Sequence, residues 1–182
     1  MTPRDPGRPG AGRVSAPVAS IALTLAACGG AQPGASPPDA DAAVRAVLDD
    51  WHAAAAASDE ARYFDHFADD GVFLGTDATE RWGVAAFREY AHRPFSEGRG
   101  WVMRATRRDV VVEGSLAWFD EDLETRNLGP SRGSGVLRYD GERWRIVQYN
   151  LTVTVPNERF AAVRAAIEAE PESAPEDAPR EE

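Results

Sequence analysis

The hydrophobic pattern changes its period partway along the chain. From about residue 39 to residue 92, apolar residues recur every three or four positions, which is the spacing of one helix face. From Trp101 to Val155 the period is two, which is typical of strands with one buried face. Helices followed by strands predict an α+β fold, with the helices packed on one face of a curved antiparallel sheet.

Turn residues divide this pattern into elements. We expect helices at about 39–57, from 58 or 59 to the Asp69-Asp70-Gly71 turn, at 84–92 and at 157–169. Asp39 or Asp41 can cap the first helix, and Pro94 should stop the third. We expect strands at 72–74, 101–113, 116–127, 134–139 and 143–155, with hairpin turns at Gly114-Ser115 and Asp140-Gly141.

The beginning of the chain has the pattern of an export signal. Three arginines precede a short apolar run, which ends in Leu25-Ala26-Ala27-Cys28 with the chain's one cysteine. This sequence resembles the lipobox of bacterial lipoproteins, which implies a lipid on Cys28, removal of residues 1–27 and anchoring to a membrane of the cell envelope, facing the periplasm or the exterior. Gly29 favours the outer membrane if the organism has one. The alternative is a cytoplasmic protein with a low-complexity start.

Composition and charge indicate the character of the remaining segments and exclude some functions. Residues 28–38 are expected to be a flexible tether, 39–169 a single domain, and 170–182 a disordered acidic tail. Removing residues 1–27 changes the formal charge from −10 to −12, which argues against nucleic-acid binding. All 20 basic residues are arginine, so lysine Schiff-base chemistry and a phosphate-loop lysine are excluded.

Several local motifs, in order, resemble the SnoaL-like branch of the nuclear transport factor 2-like (NTF2-like) superfamily. They are the Trp51 helix, Phe67-Ala68-Asp69-Asp70-Gly71-Val72-Phe73, Trp82-Gly83, Ala117-Trp118-Phe119-Asp120-Glu121, Arg132 to Leu137 and Trp144 to Leu151. The resemblance implies a cone-shaped α+β barrel that encloses a pocket and often dimerises through its sheet face. The ketosteroid isomerase branch would need a Tyr and an Asp where this chain has Trp51 and Gly75, so its chemistry is not expected here.

Candidate catalytic residues are Glu121, Asp120 and His52. Glu121 alternates with Phe119 and Leu123, so it should point to the apolar face, where burial would raise its pKa. The alternative is an ion pair with an arginine, or a face edge that reaches water. Asp120 should lie on the opposite face, solvated or paired with arginines of a neighbouring strand.

A pocket for a small organic ligand is expected to be lined by aromatic and neutral polar side chains. The candidates are Trp51, Tyr63, Phe87, Trp118, Gln148 and Asn150. No cofactor or metal is expected, since His66 and His92 lack the paired spacing of metal ligands.

Three functions remain open: a lipid-anchored protein that binds a small, largely apolar ligand, a cofactor-free SnoaL-type enzyme that transfers a proton, and a protein-binding module of the envelope. A homodimer through the sheet face is compatible with each of them.

Overall fold

The computed structural model describes residues 39–169, which form four helices and six strands. The helices are α1 (Ala40–Ala56), α2 (Glu60–Asp65), α3 (Val84–Ser96) and α4 (Phe160–Glu168), with a 3-10 turn at Asn157–Arg159. The strands are β1 (Phe67–Leu74), β2 (Arg81–Gly83), β3 (Met103–Glu113), β4 (Leu116–Thr125), β5 (Gly129–Tyr139) and β6 (Trp144–Val153). The predicted α+β class is confirmed. The predictions for residues 1–38 and 170–182 lie outside the described residues.

The six strands form one curved sheet in the order β2-β1-β6-β5-β4-β3, which is unclosed because β2 and β3 are its edges. β3 to β6 pair antiparallel through successive hairpins, whereas β1 joins β6 in parallel. Both predicted hairpin turns are present, with Gly114 and Gly141 at positive φ. The Asp140 carboxylate fixes the second turn by accepting the N–H groups of Glu142 and Arg143, each at 2.9 Å.

The core lies between one face of the sheet and the first three helices. Its largest fully buried apolar side chains are Trp51, Tyr149, Phe87, Leu48, Leu137 and Ile146. Burying a side chain such as Leu48 contributes about 1.5–3 kcal/mol. The described core side chains all come from the stretch between Ala40 and Leu151. Residues 32–182 are therefore expected to fold on their own.

Three helix predictions need correction. α2 ends at Asp65 and Phe67 already belongs to β1, because the Ile146 N–H bonds to the His66 carbonyl at 2.8 Å and draws the chain into the sheet. α3 continues through Pro94 to Ser96, since a proline in the last turn removes one hydrogen bond while Phe95 beyond it is buried.

The third correction concerns the cap of α1. Asp39 occupies the N-cap position with φ 63°, but its side chain makes no capping hydrogen bond. In α2, by contrast, the Asp59 carboxylate accepts the Arg62 N–H at 3.1 Å. The short strand β2 was not predicted, and β5 begins at Gly129, five residues earlier than expected.

A bulge in β6 changes which side chains face the core. Leu137 of β5 pairs with Ile146, but the preceding Val136 pairs with Gln148, so one step on β5 corresponds to two on β6. A bulge of this kind interrupts the strict alternation of a strand. The core-facing residues are Trp144 and Ile146 before the bulge, and Tyr149 and Leu151 after it.

This bulge sets the faces of the second half of β6. Gln148 and Asn150 do not share a face with Trp144 and Ile146, because Gln148 is exposed and Asn150 is only half-buried. Tyr149 is fully buried.

The opposite face of the sheet is partly apolar and exposed. Trp118 lies between its cross-strand neighbours Val111 and Val136, and it is 44% exposed. Beside it, Arg107 pairs with Asp120 and Asp122 at 3.1 Å each, as expected for that face. No side chain of α4 is itself buried among the described residues. None of the described helices is long and apolar enough to cross a membrane.

Candidate functional site: a buried carboxylate and an aromatic cleft

Glu121 lies on the core face of β4, between the buried side chains of Phe119 and Leu123, and it is 0% exposed. The strand register places Arg108 of β3 on one side of it and Gly133 of β5 on the other. The predicted orientation of Glu121 is therefore confirmed, and so is the alternative in which an arginine pairs with it.

Three side chains bond the Glu121 carboxylate. His52 Nε2 lies 2.7 Å from Oε1, the Tyr149 hydroxyl donates to the same oxygen at 3.2 Å, and Arg108 Nε donates to Oε2 at 2.8 Å. His52 comes from α1 and Tyr149 from β6. Both oxygens of the buried carboxylate thus have partners, as buried polar groups require. We call these four residues the carboxylate cluster.

The cluster lowers the pKa of Glu121 rather than raising it. Burial alone would raise this pKa, but the hydrogen bond from His52 and the charges of His52 and Arg108 outweigh it and hold the pKa below its usual value. The raised pKa that the sequence predicted for Glu121 is wrong, because that prediction considered burial alone and not the hydrogen bonds and charges of His52 and Arg108. The pKa of Tyr149 is well above its usual value, mainly through burial and then through the Glu121 charge. Tyr149 is therefore a neutral hydrogen-bond donor.

Gly133 is required by this arrangement. A Cβ atom at this position would lie 2.3 Å from the Tyr149 hydroxyl oxygen and 2.8 Å from Glu121 Oε1. The cluster therefore occupies the space that any larger residue on β5 would need.

Arg108 also ties α1 to the sheet. Its NH1 donates to Asp49 at 2.7 Å and to the Arg45 carbonyl at 3.2 Å, and Arg45 donates back to the Arg108 carbonyl at 2.8 Å. Because Glu121 connects this arginine to His52 on the same helix, the cluster fastens α1 to β3 and β4. This is a structural role, and none of the four cluster residues lines the cleft described next.

An open cleft of about 1090 Å³ lies between α3, the β1–β2 connection and the β4–β5 hairpin. This volume lies just above the range of about 300–1,000 Å³ that is typical for pockets that bind small molecules. Its apolar lining includes Phe73, Trp82, Phe87, Trp101, Met103 and Leu151. We call it the aromatic cleft.

The rings that line the cleft lie nearly parallel to one another. The Phe87 ring is 4.0 Å from that of Phe73 at 19°, 5.6 Å from Trp82 at 6°, and 5.8 Å from Trp101 at 14°. Tyr90, which is 53% exposed, stacks on Trp82 at 4.5 Å. Centroid separations of this size are those of offset-stacked aromatic pairs. Phe73 and Phe87 form the buried base of this stack, and the partly exposed rings of Trp82, Tyr90 and Trp101 give the cleft its aromatic surface.

Of the six predicted pocket residues, only Phe87 lines this cleft. Trp51 and Tyr63 lie in the core and stack on each other at 5.1 Å. Trp118 and Gln148 are exposed away from the cleft, and Asn150 bonds Thr152 at 3.3 Å beside a shallow outer depression. Of the three catalytic candidates, His52 and Glu121 come together, whereas Asp120 pairs with Arg107 on the other face.

Sequence reasoning missed Trp82, Trp101 and Tyr90. Trp82 precedes α3 and Trp101 precedes β3, each beside a glycine. Large aromatic residues at the ends of elements were a usable signal, because such positions often face a cleft rather than the interior of a layer. Among residues 39–169 no cluster of His, Cys, Asp or Glu could hold a metal ion.

Comparisons with known proteins agree with this architecture. The profile of a family described as SnoaL-like domain matches residues 44–156. Among curated proteins no relative matches the sequence. Many solved structures share the fold.

Two of these structures illustrate the level of similarity. An NTF2-like protein of unknown function from Pseudomonas putida KT2440 is 16% identical, with a TM-score of 0.58 over 68% of this chain and 92% of that chain. A candidate aromatic ring hydroxylase from Novosphingobium aromaticivorans is 20% identical, with a TM-score of 0.55 over 66% and 92%.

A candidate scytalone dehydratase from Novosphingobium aromaticivorans DSM 12444 is 12% identical, with a TM-score of 0.53 over 63% of this chain and 84% of that chain. Identities this low establish the fold and leave the activity open. The family profile, in contrast, covers most of the chain, from α1 to the end of the sheet. The chain therefore belongs to the SnoaL-like family and has its NTF2-like fold.

Proposed function

We propose that this chain is an exported lipoprotein, anchored through Cys28, whose SnoaL-like domain binds a small, largely apolar ligand in the aromatic cleft. The observation that carries the proposal is the set of parallel rings around Phe87 in an open cleft of about 1090 Å³. The partly exposed rings of Trp82, Tyr90 and Trp101 in this cleft suit a planar apolar molecule, because contact with aromatic surface and burial both favour it.

The geometry of the carboxylate cluster argues against proton transfer, and this favours ligand binding in the aromatic cleft over an enzymatic function. A general base needs a pKa near the working pH and reach to its substrate. Glu121 has a lowered pKa, has both oxygens bonded and does not line the cleft. The enzymatic alternative, with Glu121 and His52 as the proton-transfer pair, would need this cluster to open.

The membrane anchor is proposed from the sequence around Cys28. The lipobox resemblance implies two or three acyl chains on this cysteine, and each buried methylene contributes about 0.8 kcal/mol. More than one chain gives stable attachment, so the domain would remain at the cell envelope, facing the periplasm or the exterior. In an organism with an outer membrane, Gly29 favours that membrane.

Binding can be tested with the tryptophans of the chain. We suggest titrating ¹⁵N-labelled residues 32–182 with 2-naphthamide, a neutral planar probe, and following the indole N–H signals. Trp82 and Trp101 line the cleft, whereas Trp144 is buried elsewhere and Trp118 is on the outer face. Saturable shifts at Trp82 and Trp101, with Trp118 and Trp144 unmoved, are expected.

The Trp82→Ala variant is expected to weaken 2-naphthamide binding about tenfold, because it removes a stacking face. Trp118→Ala is the matched control and should leave the affinity unchanged. Absence of saturable shifts at Trp82 and Trp101, or equal shifts at Trp118, would overturn the proposal of a ligand-binding cleft.

The anchor is tested separately on the full chain. Metabolic labelling with an alkyne analogue of palmitate should label the wild type but not the Cys28→Ser variant. The variant protein should also be absent from the membrane fraction. Label on the Cys28→Ser variant, or an unlabelled wild type in the cytosol, would contradict lipidation at this residue.

A further inference from the structure

The aromatic cleft is positively charged in a chain that is acidic overall. Its lining includes the arginines Arg93, Arg99 and Arg126, with Glu80 as the one carboxylate. The whole chain, in contrast, has a formal charge of −10. A local excess of positive charge attracts anionic partners to this place, even in a chain that is acidic overall.

Two of these arginines share one carboxylate. Arg93 Nε lies 3.1 Å from one oxygen of Glu97, and Arg99 Nε donates to the other at 2.8 Å. A single negative charge cannot neutralise two guanidinium groups. This side of the cleft therefore keeps a net positive charge.

Arg126 belongs to the connection between β4 and β5, which lines the cleft together with residues of α3. Arg126 forms no ion pair or hydrogen bond with any residue in the described part of the chain. Thr125 and Asn127, its neighbours in sequence, also line the cleft. The guanidinium is therefore available to a ligand.

Glu80 does not supply the missing charge to Arg126. Its Oε2 accepts the Asp77 N–H at 3.2 Å, within its own loop. The same oxygen would lie 2.1 Å from a Cβ atom built on Gly75, so the carboxylate is folded back over that glycine. The carboxylate is thus held by the β1–β2 connection.

From these observations we infer that the ligand of the aromatic cleft is a planar aromatic or conjugated molecule with a carboxylate or similar anionic group, whose rings contact the partly exposed Trp82 and Trp101 and whose anion pairs with Arg126. This inference rests on the proposed ligand-binding function and specifies its ligand class. A planar guanidinium suits a carboxylate because it can donate two parallel hydrogen bonds.

The test compares two probes of equal shape. 2-Naphthoate and 2-naphthamide share the same ring system and differ in charge. Titrated into residues 32–182 at low salt and followed by the Trp82 indole signal, 2-naphthoate is expected to bind about five- to tenfold more tightly than 2-naphthamide. Raising the salt concentration should narrow this preference, since the arginine is at the surface.

The variant Arg126→Gln should reduce the preference for 2-naphthoate over 2-naphthamide to less than about twofold, chiefly by weakening the binding of 2-naphthoate. Arg159→Gln is the matched control. It removes the same charge from an exposed arginine outside the cleft and should preserve the preference.

The outcomes separate the two proposals. If 2-naphthamide binds at Trp82 but 2-naphthoate binds no more tightly, the anionic ligand class is overturned and the ligand-binding function stands. The same conclusion follows if Arg126→Gln leaves the preference intact. If neither probe shifts Trp82 or Trp101, the ligand-binding function itself fails.

Discussion

The carboxylate cluster and the aromatic cleft differ in how their polar groups are satisfied. In the cluster, Glu121 is fully buried and both of its oxygens are bonded by side chains from α1, β3 and β6. In the cleft, Trp82 and Trp101 are only partly buried, and Arg126 has no partner among the described residues. A group whose bonds are complete stabilises the fold, whereas a group left incomplete at a cleft is available for binding.

This difference cautions against choosing a site by residue type alone. A buried Glu beside a His has the composition of an acid–base pair, but its partners keep it ionised and away from the cleft. We therefore expect changes in the cluster to affect stability and changes in the cleft to affect affinity.

The largest effect is expected for Glu121→Gln. The substitution leaves Arg108 with only the exposed Asp49 as an acidic partner and removes the charge bonded to His52. Breaking a buried pair in this way should lower the free energy of unfolding by about 3 kcal/mol. Urea denaturation measures this loss. Asp120→Asn, one residue away on the exposed face, should cost less than about 1 kcal/mol, and equal losses in the two variants would refute a structural cluster.

Gly133→Ala should have the next largest effect. The added methyl group would lie 2.3 Å from the Tyr149 hydroxyl oxygen, so the cluster must shift. We expect a loss of about 1–3 kcal/mol, as for other overpacked interiors. Gly83→Ala is the control, because its Cβ would meet no atom within 4 Å and its φ is −70°. A harmless Gly133→Ala would show that the cluster is loosely packed.

Acid should destabilise the domain. The pKa of Glu121 is below its usual 4.5, and the hydrogen bond from Arg62 helps hold that of Asp50 at about 2. Both groups bind fewer protons in the folded state than in the unfolded state, so the free energy of unfolding falls as pH drops from about 4.5 to about 2. Urea titrations across this range should give a shallower pH dependence for Glu121→Gln than for the wild type. Parallel curves would mean that Glu121 titrates alike when folded and unfolded.

The smallest effect on stability is expected in the cleft. Tyr90→Ala removes a half-exposed ring that stacks on Trp82, so the free energy of unfolding should change by less than about 1 kcal/mol. Binding of 2-naphthamide should weaken measurably in the same variant. A large loss of stability with unchanged affinity would reverse the contrast between the two regions.

The sequence predicted the helices and strands better than the orientation of their side chains, the pKa of Glu121 or the position of the cleft. Regular periods identified α1, α3 and the four long strands, and the alternation around Glu121 gave its orientation. The bulge at β6 could not be predicted, because it adds one residue to a strand without any turn signal, and it changed the orientation of Gln148 and Asn150. The pKa of Glu121 depends on His52 and Arg108, which are distant in sequence. The cleft depends on rings from β1, β2, α3 and the connection before β3, which only the tertiary fold brings together.

The most direct measurement combines the two regions in one comparison. Affinity for 2-naphthamide and the free energy of unfolding are measured for the wild type, Glu121→Gln and Trp82→Ala, under conditions where circular dichroism shows all three to be folded. We expect Glu121→Gln to lose stability and keep its affinity, and Trp82→Ala to lose about tenfold in affinity. If folded Glu121→Gln loses binding while Trp82→Ala retains it, the ligand site is at the carboxylate cluster and the account is wrong.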